Sequence, residues 1–138
     1  MSAPAPYRAI AHAGGGREGR AHLDNEGIWF AMALPKEMGG AGLGSNPEQL
    51  FALGWATCFN SAVLFVAKSK NIDAAKAKVT CEVSIARGDD GFGLAAKLTL
   101  AVPGLDAAQV KELVEAAHQV CPYSKATRGN IPVELAVA

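Results

Sequence analysis

The sequence predicts an α+β fold with the element order βββ-α-ββ-α-β, and three observations carry that expectation. The first third consists of short segments broken by glycines and turn residues. A long apolar run, "LFALGWATCFNSAVLFVA", follows it. Beyond that run, two alternating segments flank a "GDDG" turn, and a stretch of helical periodicity leads to a final short apolar segment. The whole chain, 138 residues, reads as one domain of common size. Half of it is hydrophobic, enough to form a core without disulfide or metal staples. Thirteen basic residues balance thirteen acidic ones, so no charge footprint for nucleic acid or for an anionic membrane is expected.

Taken in order, "YRAIAHA", "RAHL" and "IWFAMALP" read as strands, separated by the glycine-rich "GGGREG" and a "DNEG" turn. The loop "KEMGGAGLGS" leads into a helix in which Asn46 is suited to be N-cap, Pro47 the first helical residue, and Gln49 the third member of a capping box. This helix is expected to run to about Lys70 and is apolar on every side, as befits an element covered all round. It is barely long enough to span a bilayer, and Thr57, Asn60 and Ser61 interrupt its centre, so a core helix is the reading. In the hairpin that follows, Val79, Cys81, Val83 and Ile85 share one face. Leu94, Ala96, Leu98, Leu100 and Val102 share the facing one. Asp106, with Gln109 three residues on, caps a second helix whose stripe is Val110, Leu113, Val114, Ala117 and Cys121. Pro122 is expected to stop it, and "IPVELAV" to close the chain as a strand.

The N-terminal "MSAPAPYRAIAHA" lacks the charged start and apolar centre of a secretory signal, so the expected location is cytoplasmic, where cysteines stay reduced unless chemistry uses them. There are three. Cys81 sits on the inward face of a strand and reads as a small buried hydrophobe. Cys121, at the C-terminal end of a helix, meets backbone carbonyls that disfavour a thiolate. That polarity argues against a glutaredoxin-like transferase built on "CPYS", where the reactive cysteine begins a helix. Cys121 still suits the role of second thiol, since resolving an oxidised partner asks less of its pKa. Cys58, in apolar surroundings, stays protonated and inert unless a cation reaches it. Arg17 and Arg20 of "GGGREGR" and Arg128 are the candidates, a guanidinium keeping its charge in an apolar site.

Other signals are weaker. "GGAGLGSNPE" opens a helix, yet lacks the spacing of a dinucleotide or P-loop motif, and Glu48 places negative charge where phosphate would sit. His12, His22 and His118 have no ligand-like spacing with the cysteines. A non-enzymatic redox sensor using the same thiols is a further alternative, although no helix with a basic DNA-reading face is evident.

Two long segments, "SNPEQLFALGWATCFNSAVLFVAKSK" and "AAHQVCPYSKATRGNIPVELAV", together with "GGREGRA", closely resemble the organic hydroperoxide resistance (Ohr) branch of the OsmC/Ohr family over essentially the whole chain. The resemblance implies that Cys58 is the peroxidatic cysteine, Cys121 the resolving cysteine, Arg17 the active-site arginine and Glu48 its glutamate partner. It implies an OsmC-like fold with two core helices in an intertwined homodimer, and an organic hydroperoxide as substrate. The implied chemistry is a Cys58 sulfenic acid closed by Cys121 to an intrachain disulfide, which a lipoyl dithiol on a carrier protein re-reduces without metal, haem or flavin. Phe51, Trp55 and Phe59 are the apolar neighbours expected to favour alkyl over hydrogen peroxide. The stretch from Glu48 to Cys58 spans about 15 Å of helix axis, so either the helix bends near Gly54 or Glu48 reaches the site from a second chain. That geometry and the all-round apolar helix both favour the homodimer.

Overall fold

A computed structural model describes every residue except Met1 and Glu26, and the described chain divides into two compact units, Met1–Pro47 and Glu48–Ala138. In the first, strands β1 (Ala11–Gly14), β2 (Arg20–Leu23) and β3 (Trp29–Ala31) form an antiparallel sheet in that order, with His12 opposite His22 and Ala21 opposite Phe30. The strand expected over "YRAIAHA" covers only its end, because the pairing strand β2 stops at Leu23. A single further bond, from Asp24 N–H to Ile10 C=O (2.9 Å), continues the ladder. The turn expected at "DNEG" includes Glu26, outside the described residues.

Between β1 and β2 the glycines are required by the backbone. Gly15 and Gly16 have φ of 79° and 60°, and a Cβ at Gly19 would run into the Gly14 carbonyl. This path sets up a single 3-10 turn at Gly16–Glu18, which carries Arg17. The Leu34 N–H donates to the Glu18 carboxylate at 3.4 Å. Past β3, a bridge between Met32 and Ser45 pins both ends of the glycine-rich loop.

The second unit is an antiparallel pair, β4 (Lys78–Gly88) and β5 (Gly91–Ala101), with β6 (Val133–Val137) added parallel to β5. Helix α1 (Pro47–Ser69) starts at the proline, as expected, and ends with Asn71 in the left-handed region at φ 56°. Helix α2 (Ala107–Val120) opens with the expected capping box: the Gln109 N–H donates to the Asp106 carboxylate at 2.9 Å, and the Asp106 N–H donates to the Gln109 side chain at 3.1 Å. The core is built where the patterns placed it. Trp55, Phe59, Val63, Leu98, Leu100, Leu113, Val114, Ala117 and Cys121 have essentially no exposure.

Helix α1 is long and apolar enough to cross a membrane by length and composition, but its Trp55, Phe59, Ala62, Val63, Val66 and Ala67 face forms part of this core. Asn60, the polar interruption, donates from its amide to the Ala77 carbonyl at 3.2 Å. The covering expected all round is met on one side only within the chain: Leu53, Leu64 and Phe65 are apolar but exposed.

One expectation is corrected. Pro122 does not simply stop α2; it begins a further short helix, α3 (Pro122–Thr127). Proline fixes φ near the helical value and has no N–H, so it suits a first helical position as well as it suits a stop. Cys121 is thus the C-cap of α2 and the N-cap of α3 at once, with φ −66° and ψ 122°.

Candidate active site

The centre of the second unit is a pair of thiols. Cys58 lies in the middle of α1 and Cys121 at the α2–α3 joint, and their sulfurs are 3.6 Å apart, with both cysteines free. Each is placed by ordinary packing. Cys121 ends the buried stripe of α2, and Cys58 stands beside Phe59, which is wholly buried against the same core. Two aromatic contacts hold α3 against α1. The Trp55 indole Nε1–H donates to the buried Ser124 hydroxyl at 3.3 Å, and the Tyr123 ring lies against Gly54. A Cβ at Gly54 would come within 3.2 Å of that ring, so the glycine gives the close approach its room.

The two thiols differ in access. Cys121 is fully buried, while Cys58 is half-buried. A molecule arriving from solvent therefore meets Cys58 first. Burial pushes the Cys58 thiol above its ordinary pKa, and the neighbouring Cys121 adds to the push. The backbone N–H of Tyr123, hydrogen-bonded to the Cys58 sulfur, pulls the other way. That N–H belongs to the first turn of α3, where helix N–H groups have no intrahelical acceptor. The helix-polarity argument against Cys121 is consequently weaker than the sequence suggested, since the residue faces two helix ends of opposite sign. Its burial now carries the case against Cys121 as the first attacker.

Cys81 alternates inward on β4 and is half-buried, its pKa pushed up to about 11 by desolvation first, then by Glu82 and Cys121. His118, near the edge of the α2 stripe, is held below its usual pKa by burial and then by Arg128. Its ring faces Phe59, with centroids 6.5 Å apart. Of the candidate cations, Arg20 stacks on Trp29, 4.8 Å from the ring centroid, and Arg128 donates from Nη2 to the His118 carbonyl at 2.6 Å. Arg17 occupies the 3-10 turn of the first unit, and Glu48 lies in the first turn of α1, which runs unbroken through Gly54. Among the described residues, no group of three or more His, Cys, Asp or Glu is gathered as a metal site would need.

A cavity of about 340 Å³ opens between Phe51 of α1 and Tyr123 of α3, and neither Cys58 nor Cys121 is among its lining residues. Its lining is mainly apolar, from Phe51, Leu94, Tyr123 and Ile131, with Thr127 and Asn130 as the polar residues. Trp55 and Phe59, expected to face substrate alongside Phe51, are instead core residues with no exposure. Their side of α1 is the one that meets α2 and the sheet. Nothing in the apolar run of the sequence distinguishes that side from the side bearing Phe51. The contact of the Tyr123 ring with Gly54 and the Trp55–Ser124 bond were also not legible, because they depend on α3 folding back.

A half-buried thiol thus faces a buried one at 3.6 Å in an α+β chain, the arrangement that a two-thiol redox reaction would use. A sequence profile of OsmC-like proteins matches residues 39–136. The chain belongs to the OsmC/Ohr family, on its organic hydroperoxide resistance branch. It is 47% identical over 134 residues to an organic hydroperoxide resistance protein of Xanthomonas axonopodis pv. citri, covering 96% of this chain and 94% of that one. Among solved structures, an organic hydroperoxide resistance protein of Legionella pneumophila superposes with a TM-score of 0.91 at 42% identity, covering 98% of this chain and 99% of the other. The organic hydroperoxide resistance protein OhrB of Bacillus subtilis does so with a TM-score of 0.85 at 39% identity, covering 96% and 98%.

Proposed function

We propose that this chain is a cytoplasmic thiol peroxidase that confers resistance to organic hydroperoxides by reducing them to alcohols. The observation that carries the reading is the 3.6 Å approach of a half-open Cys58 to a buried Cys121 in a chain of this family. The Cys58 thiolate attacks the peroxide oxygen distal to the alkyl group. The O–O bond breaks, a proton goes to the leaving alkoxide, and Cys58 becomes a sulfenic acid. The Cys121 thiol then displaces hydroxide from that sulfur, giving an intrachain disulfide and water. A disulfide needs about 2.05 Å between sulfurs, so closure asks for a small movement. A dithiol returns the pair to the reduced form and is itself oxidised to a disulfide; a lipoyl group on a carrier protein is the proposed reductant.

Arg17, oriented by Glu48, is assigned the role of holding Cys58 as thiolate. The need for a cation is supported by the upward pressure of burial on the Cys58 pKa. This role requires residues 1–138 to work as one domain. The exposed Leu53, Leu64 and Phe65 of α1 support assembly into a homodimer, which also offers a route for Glu48 to act across chains. The apolar cavity beside Phe51 and Tyr123 supports a preference for alkyl and fatty-acid hydroperoxides over hydrogen peroxide; equal efficiencies on the two would overturn that preference.

The deciding experiment follows turnover of an alkyl hydroperoxide with dihydrolipoamide or with glutathione, for wild type and Cys58→Ser. Sustained turnover with dihydrolipoamide, abolished in Cys58→Ser, is expected. Activity that survives Cys58→Ser overturns the assignment in favour of chemistry centred on Cys121, and a single oxidation without turnover turns it toward a sensor.

A further inference from the structure

We propose that Arg128 is a positioning residue for the resolving thiol: its guanidinium ties the last turn of α2 to the end of α3 and so fixes the joint at which Cys121 meets Cys58. The proposal rests on the peroxidase reading and adds to it a residue that touches the backbone of the joint.

The geometry follows from an orphaned carbonyl. The last-turn carbonyls of a helix lack intrahelical donors. In α2, the Ala117 carbonyl still receives the Cys121 N–H at 2.9 Å. The next carbonyl, that of His118, has proline at the position where a continuing helix would supply its donor, and Pro122 has no N–H. Arg128 fills the vacancy from the other side of the joint, donating from Nη2 to the His118 oxygen at 2.6 Å. A cation at that end of a helix is also favoured by the helix dipole, and the bond is charge-assisted. His118, held below its ordinary pKa, stays neutral near pH 7 and does not compete with the guanidinium for that end.

Arg128 is itself held in place. Its N–H donates to the Ser124 carbonyl at 2.9 Å, and Gly129, at φ 78°, turns the chain away directly after it. Between the two bonded residues lies Cys121, in extended conformation, with its carbonyl accepting from Lys125 at 3.0 Å. The Arg128–His118 bond therefore straddles the resolving cysteine. Without it, α3 keeps its own backbone bonds and its Trp55–Ser124 and Tyr123–Gly54 contacts with α1 but loses this side-chain tie to the last turn of α2, and the effective concentration of the Cys121 sulfur at Cys58 falls.

The test separates the two chemical steps. Reduced wild type, Arg128→Met, Arg128→Lys and Cys121→Ser are each given one equivalent of tert-butyl hydroperoxide. Samples are trapped with dimedone over time, and sulfenate adduct and disulfide are counted by intact-mass spectrometry. Arg128→Met is expected to consume peroxide at the wild-type rate and to close the disulfide about tenfold more slowly, the scale of one lost charge-assisted bond, with Arg128→Lys closing faster than Arg128→Met. Disulfide closure at the wild-type rate in Arg128→Met overturns the proposal, and so does an equal slowing of both steps, which is what general loss of structure would give. Should Arg128→Met fail to fold, Arg128→Gln is compared with wild type by the same readout, and equal closure rates overturn the proposal. A wild type that consumes peroxide but never forms the disulfide overturns the peroxidase reading, and this inference with it. Where wild type closes the disulfide normally, slow closure in the variant is traced to Arg128 alone.

Discussion

At Cys58, three influences act on one sulfur: burial and Cys121 raise its pKa, and the Tyr123 N–H lowers it. On the peroxidase reading a guanidinium must reverse the balance, and the effect of removing it has a definite sign. On that reading, Arg17→Ala is expected to raise the Cys58 pKa and to slow hydroperoxide reduction at neutral pH, with the rate recovering as pH rises; ultraviolet thiolate absorbance and initial rates against pH measure both. An unchanged titration midpoint would remove Arg17 from the site. Cys81 offers a second, independent titration. Its folded-state pKa lies above its unfolded value, so the native state holds the proton more tightly, and the resulting stability is present at neutral pH and lost as pH rises from 9.0 to about 11. Cys81→Val should flatten the alkaline fall of the urea midpoint over that window, by about 1 kcal/mol once the partial exposure of the thiol is discounted. A fall identical to that of wild type would show that the site does not titrate as described.

Among the elements, the contact that matters most to the site is that of α1 with α3. Pro122 gives α3 its start, Gly54 admits the Tyr123 ring, and Trp55 donates to a Ser124 hydroxyl that has no exposure. Trp55→Phe keeps most of the ring packing and strands the buried hydroxyl. A destabilisation of about 1–3 kcal/mol is expected, read from urea unfolding, and in a double-mutant cycle with Ser124→Ala the two losses should not add. Additive losses would show that the bond does not couple the helices. The short helix also shows why one residue can be misread from sequence. A proline after an apolar stripe signals an end, and the same fixed φ and missing N–H equally suit a beginning. Only the chain beyond it, with Ser124 and Thr127 turned inward, makes the choice.

For the whole molecule, the informative feature is what stays uncovered. Leu53 is 61% exposed and Phe65 68% exposed on a helix whose opposite side is sealed in the core. On the proposed homodimer reading, these exposed apolar side chains form the association surface. Phe65→Glu is expected to shift the homodimer toward monomer at micromolar concentration, by sedimentation velocity, and to lower turnover where Glu48 acts across chains. A fully active wild-type monomer would defeat the dimer.

Much of this molecule is legible in the order of its residues. The alternation of Val79–Ile85 and Leu94–Val102, the capping box at Asp106 and Gln109, and the stripe ending at Cys121 all stand in the structure, because each is a local pattern with one low-energy solution. The paired motifs around Cys58 and Cys121 identified the family. Folding in three dimensions was needed for the 3.6 Å meeting of the two sulfurs, for the difference in their access, for the burial of Trp55 and Phe59 while Phe51 lines a cavity, and for the Arg128 bond across the joint. These are contacts between residues brought together by helix packing. Periodicity states that a side chain is apolar or inward, but only the packing of one element on another determines which neighbour it meets.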